Sequence, residues 1–250
     1  MALFISCTTH ESFDKNDFST YPVYNGNDLE MTYTPEKTNF RIWAPTADEA
    51  KVKIYHNSTD NEPAMEKNMK RDLAGTWIAQ FDKDLKNLFY TFQISYNGEW
   101  LEETPGIYAN AVGVNGKRAA IVDLKETNPA GWNESVRPPL ENYTDIIVYE
   151  IHVRDISIHP GSGITNKGKF PGLAEENTVS PQGEKTGLAH LKELGCTHIH
   201  LLPALDFRSI DETKPHENHY NWGYDPQNYN VPEGSYSTDP YNPATRIREF

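Results

Sequence analysis

The alternation of apolar and polar positions changes character part-way along the chain. Residues 1–20 show no period and are expected to form a tail or a docked extension. From there to about residue 124 the apolar residues come in short, β-like runs: FRIWAPTA (40–47), AKVKIYHN (50–57), TWIAQF (76–81), FYTFQISYN (89–97) and AAIVDL (119–124). In 50–57, Val52, Ile54 and Tyr55 are offset by Lys51, Lys53 and His56, close to the period of two of a strand with one buried face. Several such strands separated by turn-rich gaps predict an immunoglobulin-like β-sandwich over residues 21–125.

A different pattern follows. Residues 126–145 carry three prolines and little periodicity, as a linker does. DIIVYEIHVRDIS (145–157) is a β-branched run without turn residues and predicts a buried parallel strand. In TGLAHLKELG (186–195), Leu188, Leu191 and Leu194 fall on one face of a short helix that Gly195 is placed to close. THIHLLPALDF (197–207) predicts a second strand. Strand, helix and strand make a βαβ unit, so residues 146–250 are expected to be the first part of a (β/α)₈ TIM barrel. A closed barrel takes ~200 residues or more, so the barrel is expected to be incomplete here and to need further polypeptide.

One stretch fits neither pattern. HYNWGYDPQNYNVPEGSYSTDPYNP (219–243) holds six Tyr and Trp residues, four prolines and two glycines, with Val231 the lone aliphatic residue. Such density of proline and glycine predicts an ordered loop without a ladder, whose rings pack locally or face a ligand. Tyr and Trp join an apolar face to a polar edge, as a sugar-binding surface requires.

Charge removes several partners. The 36 acidic against 23 basic residues give a net charge of −13, which repels nucleic acid and anionic membranes. No apolar run approaches the ~20 residues that span a bilayer, and the N-terminus lacks the basic flank and apolar stretch of a secretory signal, so a cytoplasmic protein is expected. Cys7 and Cys196 are read as reduced, buried thiols rather than a disulfide framework.

Candidate chemistry gathers on the two α/β strands. Period-two reading puts Glu150, His152 and Arg154 on one face of the first, and His198 and His200 on one face of the second. They suit a hydrogen-bonded structural ladder, or alternatively a zinc site in which His152, His198 and His200 supply imidazoles. Glycoside hydrolysis needs two carboxyl groups straddling the bond. Glu150, Asp155, Asp206 and Asp225 are the candidates by position; Asp155 and Asp206 lie just after strands, with loop capping or salt bridging as their competing use. Trp43, Trp77 and Trp100 can serve as sugar platforms or as sandwich core.

YNWGYDP (220–226), with YEIHVRDIS (149–157), SGITNKGKFPGL (162–173), GLAHLKELGCTHIHLLPALDF (187–207) and YNVPEGSYSTDP (229–240), closely resembles the type I pullulanases, starch-debranching enzymes of glycoside hydrolase family 13. FRIWAPTADEAKV, GTWIAQF, LFYTFQI and AVGVNGKRAAIVDL are similar to the family 48 carbohydrate-binding module that precedes the catalytic barrel in such enzymes. The resemblance covers roughly residues 30–250. It implies retaining hydrolysis of α-1,6-glucosidic bonds in pullulan, starch or glycogen branches, with an α-glucan (pullulan, starch, glycogen or maltooligosaccharides) as partner and no cofactor. It implies that Tyr224 stacks beneath the sugar of subsite −1 and that Asn221, Trp222 and Asp225 shape the same wall. The family's nucleophile, acid/base and third carboxylate come from later strands, so no catalytic residue is assigned within residues 1–250. Thr104-Pro105-Gly106 departs from the family's Asp-Pro at that place. Two other functions are open: a non-catalytic glucan-binding fragment whose partner is the remaining catalytic chain, and a metal-dependent hydrolase using His152, His198 and His200.

Overall fold

The computed structural model describes residues 13–214 and 220–250; residues 1–12, with Cys7, and 215–219, with His219, lie outside the described residues. The period-two runs form two antiparallel sheets. Strands β1 (Glu30–Thr34), β2 (Lys37–Trp43), β3 (Glu49–Tyr55), β4 (Met65–Asn68), β5 (Lys70–Arg71), β6 (Thr76–Phe81), β7 (Phe89–Tyr96), β8 (Glu99–Trp100) and β9 (Ala119–Ala120) are ordered β1-β2-β6-β5 in one sheet and β4-β3-β7-β8 in the other, with β9 also on β7. Val52 and Ile54 are wholly buried, as their alternation with Lys51 and Lys53 requires. Phe40 of the first sheet meets Tyr90 and Phe92 of the second at ring-centroid distances of 5.0 and 5.9 Å, which fixes how the layers face each other. The two-residue turn Asn97-Gly98 between β7 and β8 has φ of +52° and +79°, the left-handed conformation a tight hairpin needs. Residues Phe18–Thr20 form one helical turn, and the Phe18 and Tyr21 rings rest on Trp43.

The second half differs from expectation in three places. The parallel strand is shorter than 145–157: β10 spans Val148–Ile151, preceded by a turn at Tyr143–Asp145. Nor is it buried over most of its length: Ile147, Val148 and Tyr149 are 54, 56 and 42% exposed and Ile151 alone in β10 is buried; among the described residues its one ladder partner is β11 (His198–Leu201). The segment 197–207 is two strands rather than one, broken at Leu202 and Pro203, so that β12 (Leu205–Phe207) leaves the parallel pair and joins β13 (Pro226–Pro232) in antiparallel fashion. That β13 exists corrects the expectation of a ladder-free loop. Its prolines stand at the two ends, and register shifts between Leu205 and Phe207 absorb the mismatch.

Between β10 and β11 run α1 (Phe170–Ala174) and α2 (Gly187–Glu193). Gly195, at φ +79°, closes α2 as expected; Leu191 is buried, whereas Leu194 is exposed. Helix α3 (Pro243–Glu249) starts where Asn242 Oδ1 accepts the Ala244 N–H and Pro243 takes the first helical position. The Val114–Gly116 turn joins the halves. Asn115, at φ +60°, donates its N–H to Glu212 Oε2 and accepts the Glu212 N–H, both at 2.8 Å, while the Gly116 carbonyl accepts from Asn228 and Gln227. Among the described residues no helix is long and apolar enough to cross a membrane.

Candidate functional site

Residues 220–226 lie across the C-terminal ends of β10 and β11, the edge at which parallel sheets carry their ligands. His152, next after β10, donates Nε2–H to the Asn221 carbonyl at 2.8 Å. Gly223 sits against Pro203, just beyond β11; at φ +85° a Cβ there would meet the Pro203 carbonyl oxygen at 2.5 Å, so only glycine fits. Asn221 organises the turn from within, its Oδ1 accepting the Gly223 N–H at 2.8 Å and its Nδ2 donating to Asp225 Oδ1 at 2.7 Å. Asp225 also accepts from the Ser209 hydroxyl. Burial works to raise its pKa, but these donors outweigh it and hold the carboxyl below the ordinary range. Thus two of the four predicted residues build the loop. The other two are presented by it: Trp222 is 58% and Tyr224 67% exposed.

Of the other rings in 219–243, Tyr220, Tyr229 and Tyr241 are exposed, whereas Tyr236 is buried against Phe170 and Phe207 and is core, not platform. The predicted histidine ladder is not continuous. Glu150 and His200 pair at 3.3 Å on the exposed side, His198 Nδ1 meets the Thr197 hydroxyl, and Arg154 meets Asp155 at 2.9 Å. His152 is buried and bonded into the loop instead. Among the described residues the three histidines therefore form no metal-ligand group.

Sequence reasoning missed a buried ionic cluster beneath β12 and β13. Arg246 of α3, with no exposed side-chain surface, bonds Asp206 Oδ1 at 3.2 Å, Glu212 Oε2 at 3.0 Å and the Pro240 carbonyl at 2.9 Å. Glu233 lies beside them, accepting the Phe207 and Ser235 N–H groups. Burial, then the charges of Glu212 and Asp206, push Glu233 up to about 8, and burial pushes Asp206 up to about 6. Oxygens of Asp206, Glu212 and Glu233 lie within 4.8 Å of one another, close enough to hold a cation, but the guanidinium already holds two of the three. Asp206 was a candidate hydrolytic carboxylate; its salt bridge bears out the competing use.

Residues 28–107 match the profile of carbohydrate-binding module 48 (isoamylase N-terminal domain). The pullulanase of Bacillus subtilis strain 168 is 40% identical over 227 residues, 91% of this chain and 30% of that protein. The structure of the Paenibacillus barengoltzii pullulanase complexed with maltohexaose and α-cyclodextrin is 54% identical, with a TM-score of 0.91 over 95% of this chain and 36% of that one. For the pullulanase of Bacillus acidopullulyticus the values are 44%, 0.86, 92% and 28%. The chain matches the N-terminal portion of a pullulanase.

Within the module-48 match of this pullulanase-like chain, the three tryptophans divide. Trp77 is core, 6% exposed, its indole N–H on the Ala44 carbonyl. Trp43 donates to the Pro22 carbonyl and lines an apolar cleft of about 740 Å³ with Phe18, Tyr21 and Ile107. Trp100 is 40% exposed, with the Lys51 ammonium 4.1 Å from its ring centre. The Thr104-Pro105-Gly106 departure is locally accommodated: Thr104 pairs with Phe92, and Gly106, at φ +95°, passes against the buried Glu30 carboxyl. A groove of about 1240 Å³ runs between the module and the second half, lined by Glu103, Arg118, Arg208, Asp211 and Tyr229, and reaches the YNWGYDP loop only at its rim, through Ser209 and Pro226.

Proposed function

We propose that this chain is the glucan-recognising N-terminal part of a debranching enzyme that hydrolyses α-1,6-glucosidic bonds of pullulan, starch or glycogen. Residues 21–125 are its family 48 module, 126–145 the linker, and 146–250 the start of a (β/α)₈ barrel that later polypeptide completes on the open edges of β10 and β11. The carrying observation is the fixed loop 220–226, which holds Trp222 and Tyr224 exposed over the C-terminal ends of two parallel strands. Their faces are the platform for a glucose unit, Tyr224 in the subsite where the bond breaks, and Asn221 and Asp225 hold the loop's shape.

Retaining hydrolysis needs one carboxylate to attack the anomeric carbon and a second carboxyl, ~5–5.5 Å away, to protonate the leaving oxygen. Each carboxylate proposed from the sequence is otherwise engaged: Glu150 by His200, Asp155 by Arg154, Asp225 by Asn221 and Ser209, Asp206 by Arg246. The reacting pair is therefore assigned to polypeptide beyond these 250 residues. The same observation favours a second reading for the 250 residues in isolation, a binding fragment without turnover. Reducing-sugar release from pullulan separates the two. The full-length protein should release sugar and the 250-residue chain should bind maltohexaose without release; turnover by the short chain would overturn the assignment.

A further inference from the structure

His152 is buried, 6% exposed, and its ring is held on three sides. Nε2 lies 2.8 Å from the Asn221 carbonyl oxygen and 3.0 Å from the Tyr236 hydroxyl. A carbonyl can only accept, so Nε2 carries the proton. Tyr220 covers the ring at a centroid distance of 5.2 Å, and Tyr236 meets it edge-on at 5.8 Å. Nδ1 is buried without a hydrogen-bond partner, with Asp155 Oδ2 at 3.8 Å the nearest charge.

The position of this bond gives it a consequence. Neighbouring elements hold two carbonyls of the loop: that of Asn221, bonded by the His152 side chain, and that of Asp225, bonded by the Arg208 N–H at 3.1 Å. Trp222 and Tyr224 stand between these two anchors. We propose that His152 is a positioning residue for sugar recognition, its Nε2–H fixing the Asn221 carbonyl and so the attitude of both platform rings. It touches no sugar itself. This inference rests on the reading that the loop is a glucan platform.

The test uses the full-length protein in three variants. His152→Leu removes the donor while keeping apolar bulk, His152→Gln returns a side-chain N–H near the Nε2 position, and Tyr224→Ala removes the platform. His152→Leu should weaken maltohexaose binding by about fivefold to tenfold, the scale of one lost hydrogen bond, and His152→Gln should recover to within about twofold. Amide hydrogen exchange of the ligand-free protein over residues 221–225 should be faster in His152→Leu and near wild type in His152→Gln. Unchanged exchange in His152→Leu, or a Gln variant as weak as the Leu variant, would overturn the role of His152. If exchange responds as expected but Tyr224→Ala binds like wild type, the platform reading fails and the part of His152 in sugar binding goes with it.

Discussion

The two halves are held together by different balances of apolar and ionic contact. In the β-sandwich, Phe40, Val52, Ile54, Tyr90 and Phe92 close an apolar core, and Glu30 is the one buried carboxylate among the described residues there. In the second half a smaller apolar cluster of Val153, Phe170, Phe207 and Tyr236 adjoins Asp206, Glu212, Glu233 and Arg246, which are buried side by side, while Val148, Tyr149 and Ile199 of the parallel pair stand open. On the reading proposed above, the difference is one of completeness. An area-driven core closes as soon as its two sheets meet, whereas a parallel pair with uncovered faces and edges needs more strands and helices around it. The fixed loop 220–226 depends on neither the open faces nor the edges, because His152 and Pro203 hold it from the strand ends.

The largest effect expected from this contrast is at the ionic cluster. Arg246→Met would leave Asp206 and Glu212 buried without their cation and should cost about 3–5 kcal/mol in denaturant unfolding near pH 7. Phe40→Ala in the sandwich should cost a similar amount, about 3–5 kcal/mol, through cavity formation. The two should part on changing pH: the Phe40→Ala cost should be the same at pH 5 and pH 8, and the Arg246→Met cost should not. Equal pH behaviour would erase the distinction between the halves.

Next in size is the pH dependence of the intact protein. Glu233 is raised from 4.5 to about 8, so between those values the folded state holds a proton that the unfolded chain has released. Stability conferred by the neutral form is therefore full below about pH 4.5 and is lost as pH rises towards 8, by an amount on the order of a few kcal/mol. Glu30, raised to about 7, contributes in the same direction from the sandwich. Glu233→Gln should flatten the slope between pH 7 and 8, where Glu30 no longer contributes much; an unaltered slope in unfolding titrations would contradict the buried-proton account.

Smaller still is the joint. Asn115→Ala loses the side-chain bonds to Asp211 and the Glu212 N–H, and places alanine at φ +60°, for an expected cost of about 1–3 kcal/mol. It should separate one unfolding transition into two in calorimetry. Least is Lys51→Met, which removes the ammonium from Trp100 and should change sandwich stability by about 0.5–1 kcal/mol.

The sandwich was readable from sequence because its strands alternate, one face to the core and one to water. TWIAQF, 76–81, became β6 without shift, and Val52 and Ile54 were buried as their spacing required. The second half was less readable, for reasons that are also physical. Pro226 and Pro232 disguised β13, since their tolerance at strand ends cannot be told from breakage without the partner strand. Arg246, Glu212 and Glu233 fall in no motif, and nothing local marks a charge that tertiary pairing will bury. Of the loop, the rings were anticipated, but not that Asn221 and Asp225 would serve its internal bonding, nor that His152 would hold it rather than join His198 and His200.

The central claim is that the face of Tyr224 is where an α-glucan lies. Calorimetric titration of the full-length protein with maltohexaose, wild type against Tyr224→Ala, tests it most directly. Loss of a stacked ring should weaken binding by about tenfold, near 1.4 kcal/mol, with the thermal midpoint unchanged because the ring is already exposed. Equal affinities for the two proteins would contradict the account.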